Sequence, residues 1–285
     1  ADDHRITYGK HRRYCKESMR TFHVKGIHIG RPCPVLMGVL NISPESFYPG
    51  SFVPISAVHE TAVQMIADGA EILDIGARST APGSPPISVS EETARIKESL
   101  HKLQGEDSVI SIDTMHPEVL NAALHFDIHL ANDISGLSNP DMAKLIADAG
   151  LPAVLMASGK APGDARSLKD THDSIRNVLT RARDQGIEDI ILDPGIGKWI
   201  PERTAEDDWE LCRHFHELSA YNLPLLVAVS RKSFIGELTG QSPTGRLAGT
   251  LAVTTRLIEN GASVIRAHDI PETRDIIKSV MHLMR

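Results

Sequence analysis

Short apolar runs recur along the chain, separated by stretches long enough to form helices. The eight runs cover residues 35–40, 72–75, 109–112, 128–131, 153–156, 190–192, 225–229 and 264–267. Several of them are continuously apolar, as expected of parallel strands that are buried on both faces. Eight strands alternating with helices predict an α/β fold, a closed TIM (β/α)8 barrel in which the strand ends face one shared mouth.

Helix signals mark the segments between these runs. The predicted helices span residues 56–68, 117–123, 139–149, 170–185, 206–218, 245–260 and 271–283, and a further helix opens at Ser90, which precedes two glutamates. Before the first strand, residues 22–29 alternate around Gly26, which predicts a short hairpin that closes the bottom of the barrel. We therefore expect an N-terminal extension and hairpin over residues 1–34 and one barrel domain over residues 35–285.

Composition narrows the class of partner. The net charge of -7 and the pI near 6.1 give no broad attraction to nucleic acid or to an anionic membrane, so small molecules are the expected partners. Cys15, Cys33 and Cys212 are odd in number and lack CxxC spacing, which indicates neither a disulfide framework nor a zinc site. The apolar runs are too short to span a bilayer, and no signal-peptide core is present. A cytoplasmic location is expected.

Polar residues follow seven of the eight runs. Asp113, Asn132 and Asp193 would point carboxylate and amide groups into the mouth from three nearby strands. Such a set can bind the edge of a planar heterocycle, because a carboxylate accepts two adjacent N–H bonds and an asparagine supplies one donor and one acceptor group. The alternative for each residue is that it caps the following helix.

Cationic residues follow the last two runs. Ser230-Arg231-Lys232 and Arg266-x-His268 would place positive charge in a quadrant of the barrel that often binds phosphate. The alternative is salt bridging with Asp269, Glu237 or Asp275. Asn41, after the first run, could hold Mg²⁺ through its side-chain oxygen, since this ion prefers oxygen ligands and usually keeps water and substrate phosphates in its shell.

Seven short motifs occur in sequence order from residue 37 to residue 269. They are MGVLNISPESF from Met37, GAEILDIG from Gly69, IDT from Ile112, NDISG from Asn132, LDPGIG from Leu192, SRK from Ser230 and RAHD from Arg266. Together they resemble the dihydropteroate synthase family of pterin-binding barrels. The resemblance implies a transferase that condenses a dihydropterin hydroxymethyl diphosphate with p-aminobenzoate or a related aromatic amine. Pyrophosphate is released, in folate or methanopterin-type cofactor biosynthesis.

The resemblance also implies roles for individual residues. The pterin is expected to contact Asp113, Asn132, Met156, Asp193 and Lys232, and the diphosphate Asn41, Arg266 and His268, with Mg²⁺ as cofactor on Asn41. Ser230 and Thr80 would lie on the amine side. Catalysis is expected to depend on Lys232, Asp193 and Arg266. A homodimer is implied by the family.

Several loops depart from the family pattern. The usual ESTRPG reads here as Arg78-Ser79-Thr80-Ala81-Pro82-Gly83, and residues 198–200 read Lys-Trp-Ile in place of Phe-Gly-Lys. The pterin positions are retained, whereas positions on the amine side change. Two further hypotheses are a pterin-dependent methyltransferase acting with a corrinoid protein and a pterin-binding protein without catalysis. Pyrophosphate release distinguishes the synthase from both.

Overall fold

Eight parallel strands close into a barrel, as the apolar runs predict. A computed structural model describes residues 19–45, 49–79 and 84–285. The strands are β1 Phe22–Val24, β2 Ile27–Ile29, β3 Val35–Asn41, β4 Ile72–Gly76, β5 Val109–Asp113, β6 Leu130–Asp133, β7 Ala153–Met156, β8 Ile190–Asp193, β9 Leu226–Val227 and β10 Val264–Ala267. Their order is β8-β7-β6-β5-β4-β3-β10-β9, and a parallel bridge between Leu192 and Leu225 joins the two edges. The prediction of a TIM barrel with an N-terminal hairpin is confirmed.

Helices connect the strands around the outside. Over the described ranges they are α1 Val58–Asp68, α2 Val89–Lys102, α3 Pro117–Ala123, α4 Pro140–Ala149, α5 Leu168–Asp184, α6 Ala205–Arg213, α7 Ser233–Thr239, α8 Leu247–Glu259 and α9 Ile270–Leu283. Helix α2 begins earlier than predicted, because Ser88 rather than Ser90 caps it by accepting a bond from the Glu91 amide. The prediction of one helix over 206–218 is wrong: α6 ends at Arg213 and a 3-10 helix, Phe215–Tyr221, follows. No helix in the described part of the chain is long and apolar enough to cross a membrane.

The strands bury apolar side chains on both faces, which explains their continuous apolar sequences. One layer lies between strands and helices and includes Leu40, Ile75 and Leu192. The other fills the lower barrel interior with Val35, Met37, Ile72, Val109, Leu130, Val154, Ile191, Leu226 and Val264. Burial of this apolar surface is the main favourable term in folding. The upper interior is left to polar side chains.

The N-terminal hairpin closes the lower end of the barrel. Strands β1 and β2 pair antiparallel with Phe22 opposite Ile29. Phe22, Val24 and Ile29 are buried against the lower interior layer, which confirms the predicted position of the hairpin. Residues 1–18 of the predicted N-terminal extension lie outside the described residues.

Candidate active site

A cavity of about 370 Å³ opens at the carboxyl ends of the strands. Most of the predicted site residues line it, namely Asn41, Asp113, Asn132, Asp193, Ser230, Lys232, Arg266 and His268, and further lining residues include Arg78, Lys198, Trp199, Ser233 and Arg246. Met156 is fully buried in β7 and is not among the lining residues. Thr80 lies outside the described residues. The pterin role of Met156 and the amine-side role of Thr80 stay predictions.

Strand register brings the polar residues together. Asn41 is paired with Gly76, Gly76 with Asp113, and Asp113 with Asn132. Each of these residues ends its strand or lies next to the end, so the side chains reach the same level of the barrel. The sequence places polar groups at the strand ends because the polypeptide leaves the apolar interior there.

Arg266 lies at the centre of the site between two carboxylates. Its Nε donates to Asp74 Oδ2 and its Nη2 to Asp113 Oδ2, both at 2.6 Å. Although burial alone would lower the pKa of Arg266, the Asp74 and Asp113 carboxylates raise it, so the guanidinium stays charged. Among the described residues Nη1 has no partner. Arg266 therefore offers one end of its guanidinium to a ligand.

Asp74 belongs to the polar network of the site, although it is not among the residues predicted from the sequence. Its side chain is 0% exposed, and Oδ2 accepts bonds from Arg266 Nε and from Asn132 Nδ2 at 3.0 Å. Because Asn132 Nδ2 donates to Asp74, the side-chain oxygen Oδ1 of Asn132 points away from Asp74 and is available as an acceptor. Asp74 thus orients two predicted ligand-binding residues at once. The only signal in the sequence was an acidic residue inside an apolar run, because Asp74 is the third residue of β4, Ile72–Gly76.

The pKa of Asp113 is shifted by its surroundings. Burial raises the pKa of Asp113 to about 7; Arg266 opposes this shift, and the charge of Asp74 adds to it. The three groups Asp74, Asp113 and Arg266 therefore form one coupled unit. This unit gains or loses a proton near neutral pH.

Asp193 and Lys232 form a second polar group across the mouth. Asp193 Oδ1 accepts the Gly195 amide at 2.8 Å, and Lys232 Nζ donates to the Ile196 carbonyl. Gly197 has φ +127°, and a Cβ there would lie 2.7 Å from Lys232 Nζ, so the loop requires glycine at this position. Burial raises the pKa of Asp193 and lowers that of Lys232 to about 8.

Trp199 forms part of the wall beside Lys232. Its Nε1 donates to the Gly195 carbonyl at 3.0 Å, and Lys232 Nζ lies 4.9 Å from the centroid of the ring. A Cβ at Gly163 would meet the Trp199 side chain at about 2 Å, so Gly163 makes room for the ring. The altered loop after β8 is therefore part of the cavity.

His268 is a neutral group and not the cation that the sequence suggested. Burial lowers the pKa of His268 to about 4, and the nearby Arg266 charge acts in the same direction. Its Nδ1 lies 2.9 Å from Ser230 Oγ, and Ser230 Oγ also accepts the His268 amide at 3.3 Å. At neutral pH the imidazole can bind a ligand as a hydrogen-bonding group without adding charge.

Arg231 has a structural role, which is the alternative of salt bridging rather than ligand binding. Its Nε and Nη2 bind both oxygens of Asp269 at 2.9 and 2.7 Å, and Nη1 donates to the carbonyls of Pro243 and Thr244. The side chain is 7% exposed and does not line the cavity. Arg231 therefore connects the loop after β9 to the loops before α8 and α9.

Replacement of Arg231 by Lys is expected to lower the free energy of unfolding by about 1–3 kcal/mol, because one ammonium group cannot reproduce the bidentate contact or both carbonyl bonds. Urea unfolding measures this loss. Affinity for a ligand of the cavity should stay within about twofold of the unmodified protein, since Arg231 does not line the cavity. A stable variant with weakened binding would instead place Arg231 in the ligand site.

The contacts of Asn41 show what kind of Mg²⁺ site it could form. Its Oδ1 accepts the Ser43 amide and its Nδ2 donates to Ser51 Oγ, both at 3.1 Å, so the amide orientation is fixed. No group of three or more His, Cys, Asp or Glu side chains within residues 19–45, 49–79 and 84–285 is arranged to hold a metal ion. The remaining lone pair of Oδ1 fits an ion that is bound mainly by water and ligand phosphates, and does not fit a cage made of protein groups.

The fold and the mouth define a ligand-binding α/β barrel enzyme. A family model described as pterin binding enzyme matches residues 37–268. The chain is 38% identical over 265 residues to the dihydropteroate synthase of Synechocystis sp. and 35% identical over 259 residues to that of Escherichia coli K12, covering 88% and 87% of this chain and 90% of each relative. A dihydropteroate synthase from Coxiella burnetii, solved with pteroic acid, superposes with a TM-score of 0.83 at 29% identity over 93% of this chain and 98% of that chain. The chain belongs to the dihydropteroate synthase family of pterin binding enzymes.

Proposed function

We propose that the protein condenses a dihydropterin hydroxymethyl diphosphate with p-aminobenzoate or a related aromatic amine and releases pyrophosphate, as a step in the biosynthesis of folate or a methanopterin-type cofactor. The observation that carries this proposal is that hydrogen-bonding groups suited to a heterocycle and cations suited to a diphosphate line one cavity. Similar proteins named dihydropteroate synthase, one of them in complex with pteroic acid, support it.

The pterin would be bound by the acidic and amide groups of the mouth. Asp193 can accept two adjacent N–H groups of an aminopyrimidinone, and Asn132 can accept through the oxygen that Asp74 leaves available. Lys232 supplies a donor on the same side as Asp193. Because these groups are largely buried, a heterocycle that left one of them unpaired would bind about 1–3 kcal/mol more weakly.

The diphosphate would be bound by Arg266, His268 and Asn41 with Mg²⁺. Arg266 offers its free Nη1, and neutral His268 offers a hydrogen bond. Asn41 Oδ1 would hold the ion, which when bound stabilises negative charge on the diphosphate oxygens. The protein groups thus fix the leaving group and keep its charge balanced.

The bond changes need positioning more than a strong base. The bond between the exocyclic carbon of the pterin and the diphosphate oxygen breaks, and the amine nitrogen forms a new bond to that carbon. The pterin ring stabilises positive charge on the carbon, while Arg266 stabilises negative charge on the departing pyrophosphate. The amine then loses one proton to solvent. Holding the two reactants in line supplies much of the acceleration.

The rate is expected to depend on pH through two groups. Below about pH 7 Asp113 gains a proton and its ion pair with Arg266 weakens, and above about pH 8 Lys232 loses its charge. The plot of kcat/KM against pH should therefore be bell-shaped, with its acid limb near pH 7 and its alkaline limb near pH 8. In Lys232→Arg the alkaline limb should disappear, because a guanidinium stays protonated. A flat profile between pH 6 and 9 would contradict these assignments.

Product analysis tests the proposed reaction. Mass spectrometry after incubation of the protein with the pterin diphosphate, p-aminobenzoate and Mg²⁺ should detect dihydropteroate, and omission of the amine should abolish it. Methyl transfer from a methyl-tetrahydropterin to a corrinoid, with no dihydropteroate, would favour the methyltransferase. Pterin binding without either product would favour a binding protein.

Assembly and location are further parts of the proposal. A homodimer is inferred from membership of the family alone. A cytoplasmic location is supported by Cys33 and Cys212, which are free thiols in the described part of the chain. Light scattering of the purified protein tests the dimer.

A further inference from the structure

Arg78 is a cation in the cavity wall that has no role in the reaction as proposed above. It follows β4, two residues beyond Gly76, which pairs with Asn41 in the barrel register. Arg78 lines the cavity together with Asn41, Arg266 and His268, and its side chain is 15% exposed. It therefore lines the same cavity as the groups proposed to bind the diphosphate.

The guanidinium of Arg78 is held in place from behind. Its Nε donates to Glu92 Oε2 at 2.7 Å and its Nη2 to the Ile87 carbonyl at 2.7 Å. Glu92 on α2 is 1% exposed, and its Oε1 accepts Thr114 Oγ1 at 2.6 Å. Because Glu92 is itself fixed, two of the three guanidinium nitrogens are fixed with it.

The third nitrogen is available. Among the described residues, Nη1 of Arg78 has no hydrogen-bond or ion-pair partner. A preorganised guanidinium with free N–H groups favours an oxyanion such as phosphate, since these bonds are charge-assisted and the side chain loses little further freedom on binding.

We propose that Arg78 binds the diphosphate of the pterin substrate through Nη1. This inference rests on the proposed function, because it assumes that the anion in the mouth is a diphosphate. The carboxylate of the aromatic amine is a second anion that Arg78 could meet. The diphosphate is favoured because Arg78 follows β4, whose last residue Gly76 pairs with Asn41 on the neighbouring strand β3, whereas Ser230 of the predicted amine side follows β9. Thr80, the other residue of that side, is two positions from Arg78 and lies outside the described residues, so the amine carboxylate is the competing assignment that the experiment separates.

A ratio of affinities tests the proposal. Calorimetry with Mg²⁺ would compare the dihydropterin hydroxymethyl diphosphate with the same pterin alcohol, which lacks the diphosphate. In Arg78→Gln the diphosphate should bind about tenfold or more weakly, while affinity for the alcohol and the KM for p-aminobenzoate stay within about twofold. Arg95→Gln is the matched control, since Arg95 is 17% exposed and pairs with Glu45 and Glu91 but does not line the cavity.

Other outcomes overturn distinct claims. Equal weakening of both pterins in Arg78→Gln would assign Arg78 a structural role, and a raised KM for the amine alone would assign it to the carboxylate. An unchanged preference for the diphosphate would remove Arg78 from the site. If the unmodified protein itself shows no preference for the diphosphate over the alcohol, the proposed diphosphate site fails, and the role of Arg78 fails with it.

Discussion

Arg266→Leu is expected to lower the free energy of unfolding by about 3–5 kcal/mol and to remove transferase activity. The substitution leaves Asp74, which is fully buried, and Asp113 without the cation that pairs with both at 2.6 Å. The side chain of Arg266 is 22% exposed, so solvent compensates for only part of the loss. Urea unfolding measures the change.

A double substitution separates charge from packing. If Asp74→Asn is added to Arg266→Leu, one of the two uncompensated carboxylates disappears, and the double variant should be more stable than Arg266→Leu alone. A double variant that is less stable than Arg266→Leu would contradict the charge pairing. Asp74→Asn alone is the matched control, because it keeps the ion pair between Arg266 and Asp113.

The loss of folding stability in Arg266→Leu should also depend on pH. Burial raises the folded-state pKa of Asp113 above that of an unfolded aspartate, and Arg266 opposes that shift, so its removal raises the folded-state pKa further. A group with a raised folded-state pKa binds more protons in the folded state, and stability then falls as pH rises through that pKa. The variant should be less stable at pH 8 than at pH 6 relative to the unmodified protein.

Asp193→Ala and Lys232→Ala are each expected to weaken pteroic acid binding by about 5- to 150-fold, which corresponds to about 1–3 kcal/mol. Asp193 and Lys232 line the cavity on its β8 and β9 side, and each substitution would leave buried polar groups of the ligand unpaired. Calorimetric titration measures the affinity, and circular dichroism checks that each variant is folded.

Lys198→Ala is the matched control for Lys232→Ala. Lys198 also lines the cavity, but its side chain is exposed, so water replaces its contacts at little cost. Pteroic acid affinity should change by less than about threefold. If Asp193→Ala and Lys232→Ala both fold and keep the original affinity, the pterin pocket is wrongly assigned.

The barrel could be predicted because burial on both faces leaves a strong mark in the sequence. Continuous apolar runs such as residues 35–40 end where the chain reaches the mouth, and the structure extends that strand by one residue, to Asn41. Helix α7 was missed, since its N-cap Lys232 makes no side-chain capping bond and the helix is only seven residues long. The sequence around α7 therefore contains too few of the signals that predict a helix.

The sequence predicted most of the residues that line the site. It predicted less well which of them carry a charge that faces the cavity. Arg231 and Arg266 both stand at or just after apolar strands, and no local pattern separates the one that binds Asp269 from the one that faces the cavity. That difference arises from contacts between residues far apart in the chain. His268 likewise looks cationic in the sequence, and only its burial beside Arg266 makes it neutral.

Pyrophosphate release is the most direct measurement of the proposed activity. The protein would be incubated with the dihydropterin hydroxymethyl diphosphate and Mg²⁺, with and without p-aminobenzoate, and pyrophosphate would be followed by a coupled enzyme assay. The proposed function predicts release that requires the amine and equals the dihydropteroate formed. Release that is independent of the amine, or none despite tight binding of the pterin diphosphate, would contradict it.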